Sequence, residues 1–534
     1  MVKKQMELST LESWLWKAAC SIRGEVDAAR YKDYILPLIF YKRLDDVYAD
    51  ELVKLAQTLN MSIANAVELA AVDRSLIRFY IPPEARWNEV RQQTTGLGER
   101  LTDTLRAIAK ENRKLEGVID RRDFNATDQG QRILDDDVLS RLIGILSEQK
   151  LGLDDVQPDI LGRAYEYLIR KFAERGSSAG EFFTPTEVGF LIARILDPQP
   201  GEIIYDPAAG SGGLLIKTQL RHREKLAKKL GKPLAELSPD DDPQPINLCG
   251  QELQADNVAA AKMNAFIHDM VADIRQGNTM KNPAFLDAYG GLQKFEKLAA
   301  NPMWNQDNIA VETYETDKYA RFNYGLPPQS SADWGWIQHM YASLLDGGRM
   351  AVVLDTGAAS RGSGNKGANK ERDIRKQFVE IDAVEAVILL PDNLFFNTSA
   401  PGIIIVMEKV DGQPRSHADE IMLINASKSR EKGRPKNFMT DEQVKQVADL
   451  LLNWQDVEHV SKIVKRAEVI RNDYNLSPSR YVTSNDVEPP LPLEEAIERL
   501  RIAEEARTEA DRKLDEVMQA LGFANWRNIE ASEA

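Results

Sequence analysis

Cysteine is almost absent: the 534 residues hold two, Cys20 and Cys249, far apart in the chain. A disulfide-stapled fold is thereby excluded, and a reducing compartment is expected. No uncharged apolar run is long enough to span a bilayer, and the opening residues lack the apolar stretch of a signal peptide. A cytoplasmic protein that does not enter membranes is expected. An excess of positive charge is missing too. The formal net charge of -15 argues against a chain that coats nucleic acid through a broad basic surface. Any DNA contact must therefore be local, or shared with a more basic partner. The glycine spacing of a dinucleotide site is also lacking, because Gly210, Gly212 and Gly213 do not follow G-x-G-x-x-G. What remains is an ordinary globular composition, 43% hydrophobic and 28% charged, in a chain long enough for about two to four domains.

The informative stretch runs from Gly180 to Gly213. An apolar run, Ile203 to Tyr205, ends on Asp206 and turns through Pro207 into the small-residue loop Ala208 to Gly213, after which Leu214 to Ile216 opens a helix. A strand, a glycine loop and a helix start form a cradle in which backbone amides approach a ligand closely. A nucleotide-like ligand other than NAD is implied.

Upstream, residues 1–150 read as an all-helical domain. Ser9 and Glu12 have capping-box spacing, Trp14, Leu15 and Ala18 form an apolar stripe, and Ile35, Leu36, Ile39, Phe40 and Leu44 recur at helical intervals. No catalytic constellation occurs there, so packing or docking is its expected role. Asp159 to Phe172 is an amphipathic helix with Leu161, Ala164, Tyr165 and Leu168 on one face.

Residues 151–475 then alternate strands and helices. Strands are expected at Ile203–Tyr205, Ile246–Cys249, Lys297–Ala300, Met350–Leu354, Val384–Leu390 and Ile403–Met407, with helices at Asp256–Met270 and Trp334–Leu345. Such alternation predicts an open, mostly parallel sheet with helices on both faces, binding its ligand beyond the carboxyl ends of the strands. Two insertions interrupt it. Arg221 to Asp242 reads as a solvated excursion. Arg361 to Lys376 carries Arg361, Lys366, Lys370, Arg372, Arg375 and Lys376 on the ligand side, and is either a phosphate-contacting segment or an ordinary exposed loop. In residues 476–534 a charged helical tail, Leu493 to Leu521, carries an apolar seam of Leu493, Ile497, Leu500, Ala503, Ala510, Leu514, Val517 and Leu521. That seam suits either a partner or the chain's own body.

A second stretch, Asn301-Pro302-Met303-Trp304, follows a predicted strand. Asn301 offers an amide oxygen, Pro302 a carbonyl on a stiffened backbone, and Trp304 a flat face. Together they suit a planar group bearing an amine. Two acceptors on the amine's two hydrogens favour a more nucleophilic nitrogen, and an aromatic ring can hold the base by stacking. A base taken from a duplex must be flipped out to reach such a site.

Asp206 to Gly213, preceded by Glu181-Phe182-Phe183-Thr184-Pro185 and followed by Asn301 to Trp304, resembles the motifs of the modification (M) subunit of type I restriction-modification systems. The order of the motifs is that of the gamma group of N6-adenine DNA methyltransferases. The resemblance extends to Tyr41-Lys42-Arg43-Leu44, to Tyr165-Glu166-Tyr167-Leu168 and to Leu389 through Phe395. It implies a Rossmann-like α/β methyltransferase core and S-adenosylmethionine as methyl donor, with no metal. Glu181, Phe183, Thr184 and Pro185 would border the methionine part of the donor and Asp206 its amino group. Ala208, Gly210, Ser211, Gly212 and Gly213 would supply the loop, and Glu252 would accept from the ribose hydroxyls. Asn278 would stand near the adenine edge, although a turn role explains it equally. Asn301, Pro302 and Trp304 would be the catalytic set. The implied partners are DNA, a specificity subunit, a second copy of this chain and a restriction subunit. One residue departs from the pattern: Met303 stands where the family usually has a second proline, which removes a φ restraint from the loop. Two readings share these residues, a non-catalytic DNA-binding scaffold and a protein-glutamine methyltransferase.

Overall fold

A computed structural model describes residues 6–22, 31–156, part of 161–171, 184–483 and 493–520, apart from isolated positions within those ranges. Tyr165, Glu181 and Phe183 lie outside them. The chain divides into two compact units, Met1–Val482 and Thr483–Ala534. In the first unit, a helical region is followed by a nine-stranded sheet.

The helical region begins with Leu8–Cys20, whose N-cap is Glu7, so the Ser9/Glu12 capping box is not formed. Tyr31–Thr58 comes next, a helix of 28 residues that accommodates Pro37. The stripe Leu11, Trp14, Leu15 and Ala18 meets Ile35, Leu38 and Ile39 in one buried cluster, as a three-to-four-residue repeat requires. The region also holds a ribbon of β1 (Thr127–Asp128) and β2 (Gln131–Arg132). The helical core extends into the α/β part of the unit. Ala259, Met263 and Ile267, on the helix Ala255–Ile267, belong to the same cluster, and Phe266 packs edge-on against Phe40 at a centroid distance of 5.1 Å.

The sheet comprises β3 (Ile203–Asp206), β4 (Asn247–Glu252), β5 (Ala272–Gln276), β6 (Phe295–Ala300), β7 (Leu344–Asp355), β8 (Val384–Leu389), β9 (Gly402–Glu408), β10 (Glu420–Asn425) and β11 (Ser461–Lys465). Their order is β11-β10-β8-β9-β7-β6-β3-β4-β5. β5, β4, β3, β6 and β7 run parallel, β9 is antiparallel to both β7 and β8, and β10 returns to the parallel direction beside β8. This is the expected Rossmann-like methyltransferase core. All six predicted strands are present, and β5, β10 and the antiparallel edge β11 are additional. The chain leaves β3 toward β4 and β5, then returns on the other side as β6. The crevice between the carboxyl ends of β3 and β6 is therefore a topological switch point, where doubly wound sheets bind ligands. Both faces are covered: Val352, Leu354 and Ile405 lie in one apolar layer, and Ala351, Val353 and Ile404 lie in the opposite one, as strict alternation dictates.

Leu476, Tyr481 and Val482 are buried, and the Leu476 amide donates to the Ala359 carbonyl at 2.9 Å. Residues past 475 thus still belong to the first unit. In the second, the helix Leu493–Ala520 leaves Leu500, Leu514 and Val517 exposed. Among the described residues, no helix is long and apolar enough to cross a membrane.

His268, at the end of the helix Ala255–Ile267, is buried with neither ring nitrogen hydrogen-bonded. Gly162 approaches so closely that a β-carbon there would stand 1.9 Å from the imidazole. Burial pushes the His268 pKa down to about 3, so the folded chain refuses a proton that the unfolded chain accepts below about pH 6.5. Stability should therefore fall as the pH drops below that value, by up to about 1.4 kcal/mol per pH unit from this group. Calorimetric melting of wild type and His268→Leu between about pH 7 and pH 5 checks this, the variant showing the shallower loss.

Candidate active site

Asp206 ends β3 and is 1% exposed. Its Oδ1 accepts from the Ala208 amide at 3.0 Å, the tight turn that Pro207 and small residues permit. Desolvation raises the carboxyl to about 8, against the lowering effect of the Ala208 hydrogen bond and with the Glu252 charge adding to the shift. A buried acid held in this way is poised for a positively charged ligand group.

The loop after it is bent by Gly210 and Gly212, with φ of 52° and 80°. A β-carbon on Gly210 would meet nothing within 4 Å, whereas one on Gly212 would touch Ala261. Gly210 therefore faces open space, and Gly212 lets the loop lie on the helix Ala255–Ile267. Asn264 of that helix donates to the Ser211 carbonyl at 3.1 Å. Gly213 starts the helix Gly213–Leu230, so its first amides face the crevice. Glu252 ends β4, accepting from the Gly210 amide at 2.9 Å and from Gln254 at 2.8 Å. Each oxygen keeps capacity for another donor. Ala208 is partly buried beside Met280 and Tyr314. Asn278 follows β5, but its side chain accepts from the Lys281 amide at 3.1 Å and its carbonyl from Asn282 at 2.7 Å. Its present role is therefore to close a turn. Thr279 ties that turn to the Pro207 carbonyl at 2.7 Å.

On the other side of the switch point, Asn301 leaves β6 at 7% exposure. Its Nδ2 donates to Thr184 Oγ1 at 2.9 Å, and its Oδ1 accepts from the Trp304 indole at 3.1 Å. An indole N–H can only donate, so the amide atom beside it must be the oxygen. Trp304 thus fixes which way the Asn301 amide points. Pro185 caps the helix Thr186–Leu196 directly after Thr184, and Pro302 is buried. The expected open face of Trp304 is not found. The ring is 9% exposed and packs edge-to-face with Phe395 at 4.7 Å. Both rings close over Gly402, where a β-carbon would lie 2.9 Å from each. Trp304 therefore serves as a wall and an anchor. Phe395 is the functional residue that sequence reasoning missed as such: Leu389 through Phe395 was legible as a motif, but not as the support of Trp304.

The loop continues to Asn305, in the left-handed region at φ 50°. Its amide donates to Asp333 Oδ1 at 2.9 Å, and its side chain accepts from Arg361 at 2.7 Å. Arg361 also pairs with Asp333, Asp355 and Glu371. The segment Arg361 to Lys376 is thereby corrected. Its cations are turned inward or neutralised because the carboxylates of β7 and of the helices Asp333–Ser343 and Lys370–Glu380 face them. Arg375 is fully buried on the Tyr474, Ala358 and Arg361 carbonyls, Arg372 pairs with Asp373 and Asp473, and Lys376 with Glu380. Lys366 and Lys370 are exposed. The arginines of the segment are therefore structural, and its exposed charge is confined to these two lysines and the partly exposed Lys376.

Residues 156–489 match the model of the N-6 DNA methylase family. The chain belongs to that family. Residues 11–146 match the HsdM N-terminal domain. Among curated relatives, the type I restriction enzyme MjaVIII methylase subunit of Methanocaldococcus jannaschii is 32% identical over 510 residues, 91% of this chain and 80% of that protein. The HindI methylase subunit of Haemophilus influenzae is 27% identical, with 83% and 100% covered. Among solved structures, the type I restriction-modification methyltransferase subunit from Streptococcus thermophilus is similar with a TM-score of 0.74 and 27% identity, over 90% of this chain and all of that one.

In a methylase of this family, a cation docking at Asp206 must displace the carboxyl proton. If Asp206 receives the amino group of S-adenosylmethionine, affinity should rise by up to about tenfold per pH unit from about pH 6 and turn over near pH 8, where the carboxyl is ionised but the ligand's α-amino group, with a pKa of about 7.7–8.0, loses its own proton. Titration calorimetry across that range reads the slope, and Asp206→Asn should bind weakly with no slope.

Proposed function

We propose that this chain is the modification subunit of a type I restriction-modification system, transferring a methyl group from S-adenosylmethionine to the exocyclic amine of adenine in DNA. The observation that carries this reading is the clamped Asn301 amide after β6, on the same edge of the sheet as the buried Asp206 and the Gly210 loop, which follow the neighbouring parallel strand β3. The residues present fit the cofactor. Asp206 suits its amino group, the open space before Gly210 its close approach, and Glu252 its ribose. Thr184 and Pro185 would border its methionine part, with Glu181 and Phe183 from the preceding segment. When bound, the cofactor supplies an electrophilic methyl group on a sulfonium.

The remaining chemistry belongs to the chain. Asn301 Oδ1 and the Pro302 carbonyl accept the two N–H groups of the amine. This draws electron density onto the nitrogen and holds it in line with the methyl group. The Trp304 indole keeps Oδ1 turned toward the amine, and Phe395 keeps Trp304 in place. After transfer, the surplus proton leaves through the same acceptors. Residues 1–150 form a docking domain, the methyltransferase domain runs on from 151 to Val482, and the partner-docking tail is confined to 483–534. The exposed Leu500, Leu514 and Val517 in the tail suit a helical partner. The partners in this reading are DNA, a specificity subunit, a second copy of the chain and a restriction subunit, in the cytoplasm.

Asn301→Ala should reduce labelled methyl transfer to DNA by roughly a hundredfold or more, with the specificity subunit supplied. Its calorimetric affinity for S-adenosylmethionine should stay within about threefold of wild type, since Asp206, Gly210 and Glu252 are untouched. Transfer at the wild-type rate by this variant would remove Asn301 from the mechanism.

A further inference from the structure

The arginines between Arg361 and Lys376 are neutralised or buried, with Lys366 and Lys370 left exposed, and an acidic chain still needs a built local site for a polyanion. Such a site lies on another loop. β3, β6, β8 and β10 point the same way, so the loop leaving β10 at Asn425 lies on the same edge of the sheet as Asp206 and Asn301. Between Lys428 and Lys436 it carries Lys428, Arg430, Lys432, Arg434 and Lys436, against one acid, Glu431.

The loop is built rather than loose. Glu431 and Phe438 exchange backbone hydrogen bonds of 2.8 and 3.2 Å, closing a hairpin. A β-carbon on Gly433 would stand 2.2 Å from the Lys436 carbonyl, so the tip requires glycine. Lys436 turns inward, donating to Asn393 Oδ1 at 3.1 Å and to the Thr398 carbonyl at 3.0 Å. Arg430 pairs with Asp392 at 2.5 Å, and the Asn437 side chain donates to the Asp392 carbonyl at 3.0 Å. These anchors lie on the loop that carries Phe395, the ring supporting Trp304. Lys432 and Arg434 are exposed, and among the described residues neither has an ion-pair partner.

We infer that this hairpin is a phosphate clamp for duplex DNA, with Lys432 and Arg434 gripping the backbone beside the flipped adenine. The inference rests on the DNA-methylating reading. Two cations fixed to the loop that supports Trp304 hold the strand in register with Asn301, and they do so without reading sequence. Target choice is thereby left to another subunit.

The test uses the full chain with its specificity subunit. The equilibrium constant for a short unmethylated duplex is measured against salt concentration for wild type, for Lys432→Ala/Arg434→Ala and for the equally charged control Lys366→Ala/Lys370→Ala. Each lost phosphate contact lowers the slope of log affinity against log salt by about one, so the hairpin double variant should lose roughly two and the control none. In labelled-methyl transfer to unmethylated plasmid, its KM for DNA should rise while kcat and S-adenosylmethionine affinity stay at wild-type values. Single variants at each position should each lose about half of that slope change. An unchanged slope overturns the clamp, as does an equal loss in the control. A slope unchanged while assembly with the specificity subunit fails in gel filtration overturns it too, assigning the hairpin to a protein partner. Failure of the underlying reading looks different, because wild type itself would then transfer no label to DNA.

Discussion

The hydrogen bond from the Trp304 indole to Asn301 Oδ1 is the constraint on which the site turns. An asparagine amide is nearly symmetric in shape, and flipping it would present a donor where the proposed mechanism needs an acceptor. An indole has no acceptor, so it enforces one orientation, and Thr184 on the opposite side receives the NH2 group. Everything that holds Trp304 therefore acts on Asn301. Phe395 and the side-chain-free Gly402 make the slot into which the ring fits. The T-shaped contact contributes on the order of 1 kcal/mol beyond burial.

The Met303 departure becomes intelligible in the same terms. A proline at that position would fix one backbone angle. Here the loop is fixed from outside, by Thr184 and Trp304 at Asn301 and by Asp333 and Arg361 at Asn305. Arg361 draws three carboxylates from three different elements to one point. Removing it would leave Asp333, which is fully buried, without a counter-ion, so the loop geometry and the fold beneath it are coupled.

Much of this was legible in the sequence, for identifiable reasons. The Ile203–Tyr205 strand, the Asp206–Gly213 loop and Asn301–Trp304 are local patterns whose residue types have few other uses. The strands that escaped notice lack a clear pattern. Ala272–Gln276 is only buried at Ile274, and Ser461–Lys465 is an edge strand with lysines at two of its five positions. Glu420–Asn425 is buried at its four central positions, and only the fold shows it beside β8. Asn278 was ambiguous because asparagine suits turns as well as ligands, and the fold uses it in a turn. Trp304 was expected to offer a face because composition cannot show which neighbour covers a ring. The role of the cations from Arg361 to Lys376 stayed open between phosphate contact and exposed loop for a similar reason. Arg361, Arg372 and Arg375 look free along the chain, and only the fold reveals the acids brought opposite them.

Among the described residues, the helical region meets the glycine-loop side of the core at the helix Ala255–Ile267. The helix Ala255–Ile267 begins three residues after Glu252, supports Gly212 through Ala261 and Ser211 through Asn264, and sends Met263 and Phe266 into the helical core. Arg121 and Arg122 pair with Asp256 at its first turn, at 3.3 and 2.5 Å. These pairs are partly exposed and contribute little to stability, so their effect is on orientation. A displacement of the helical region would move the helix, and with it the floor of the glycine loop and the backbone next to Glu252. Binding at one side of this helix is thus mechanically linked to packing at the other. Packing of the helical region can reach the glycine loop through that helix.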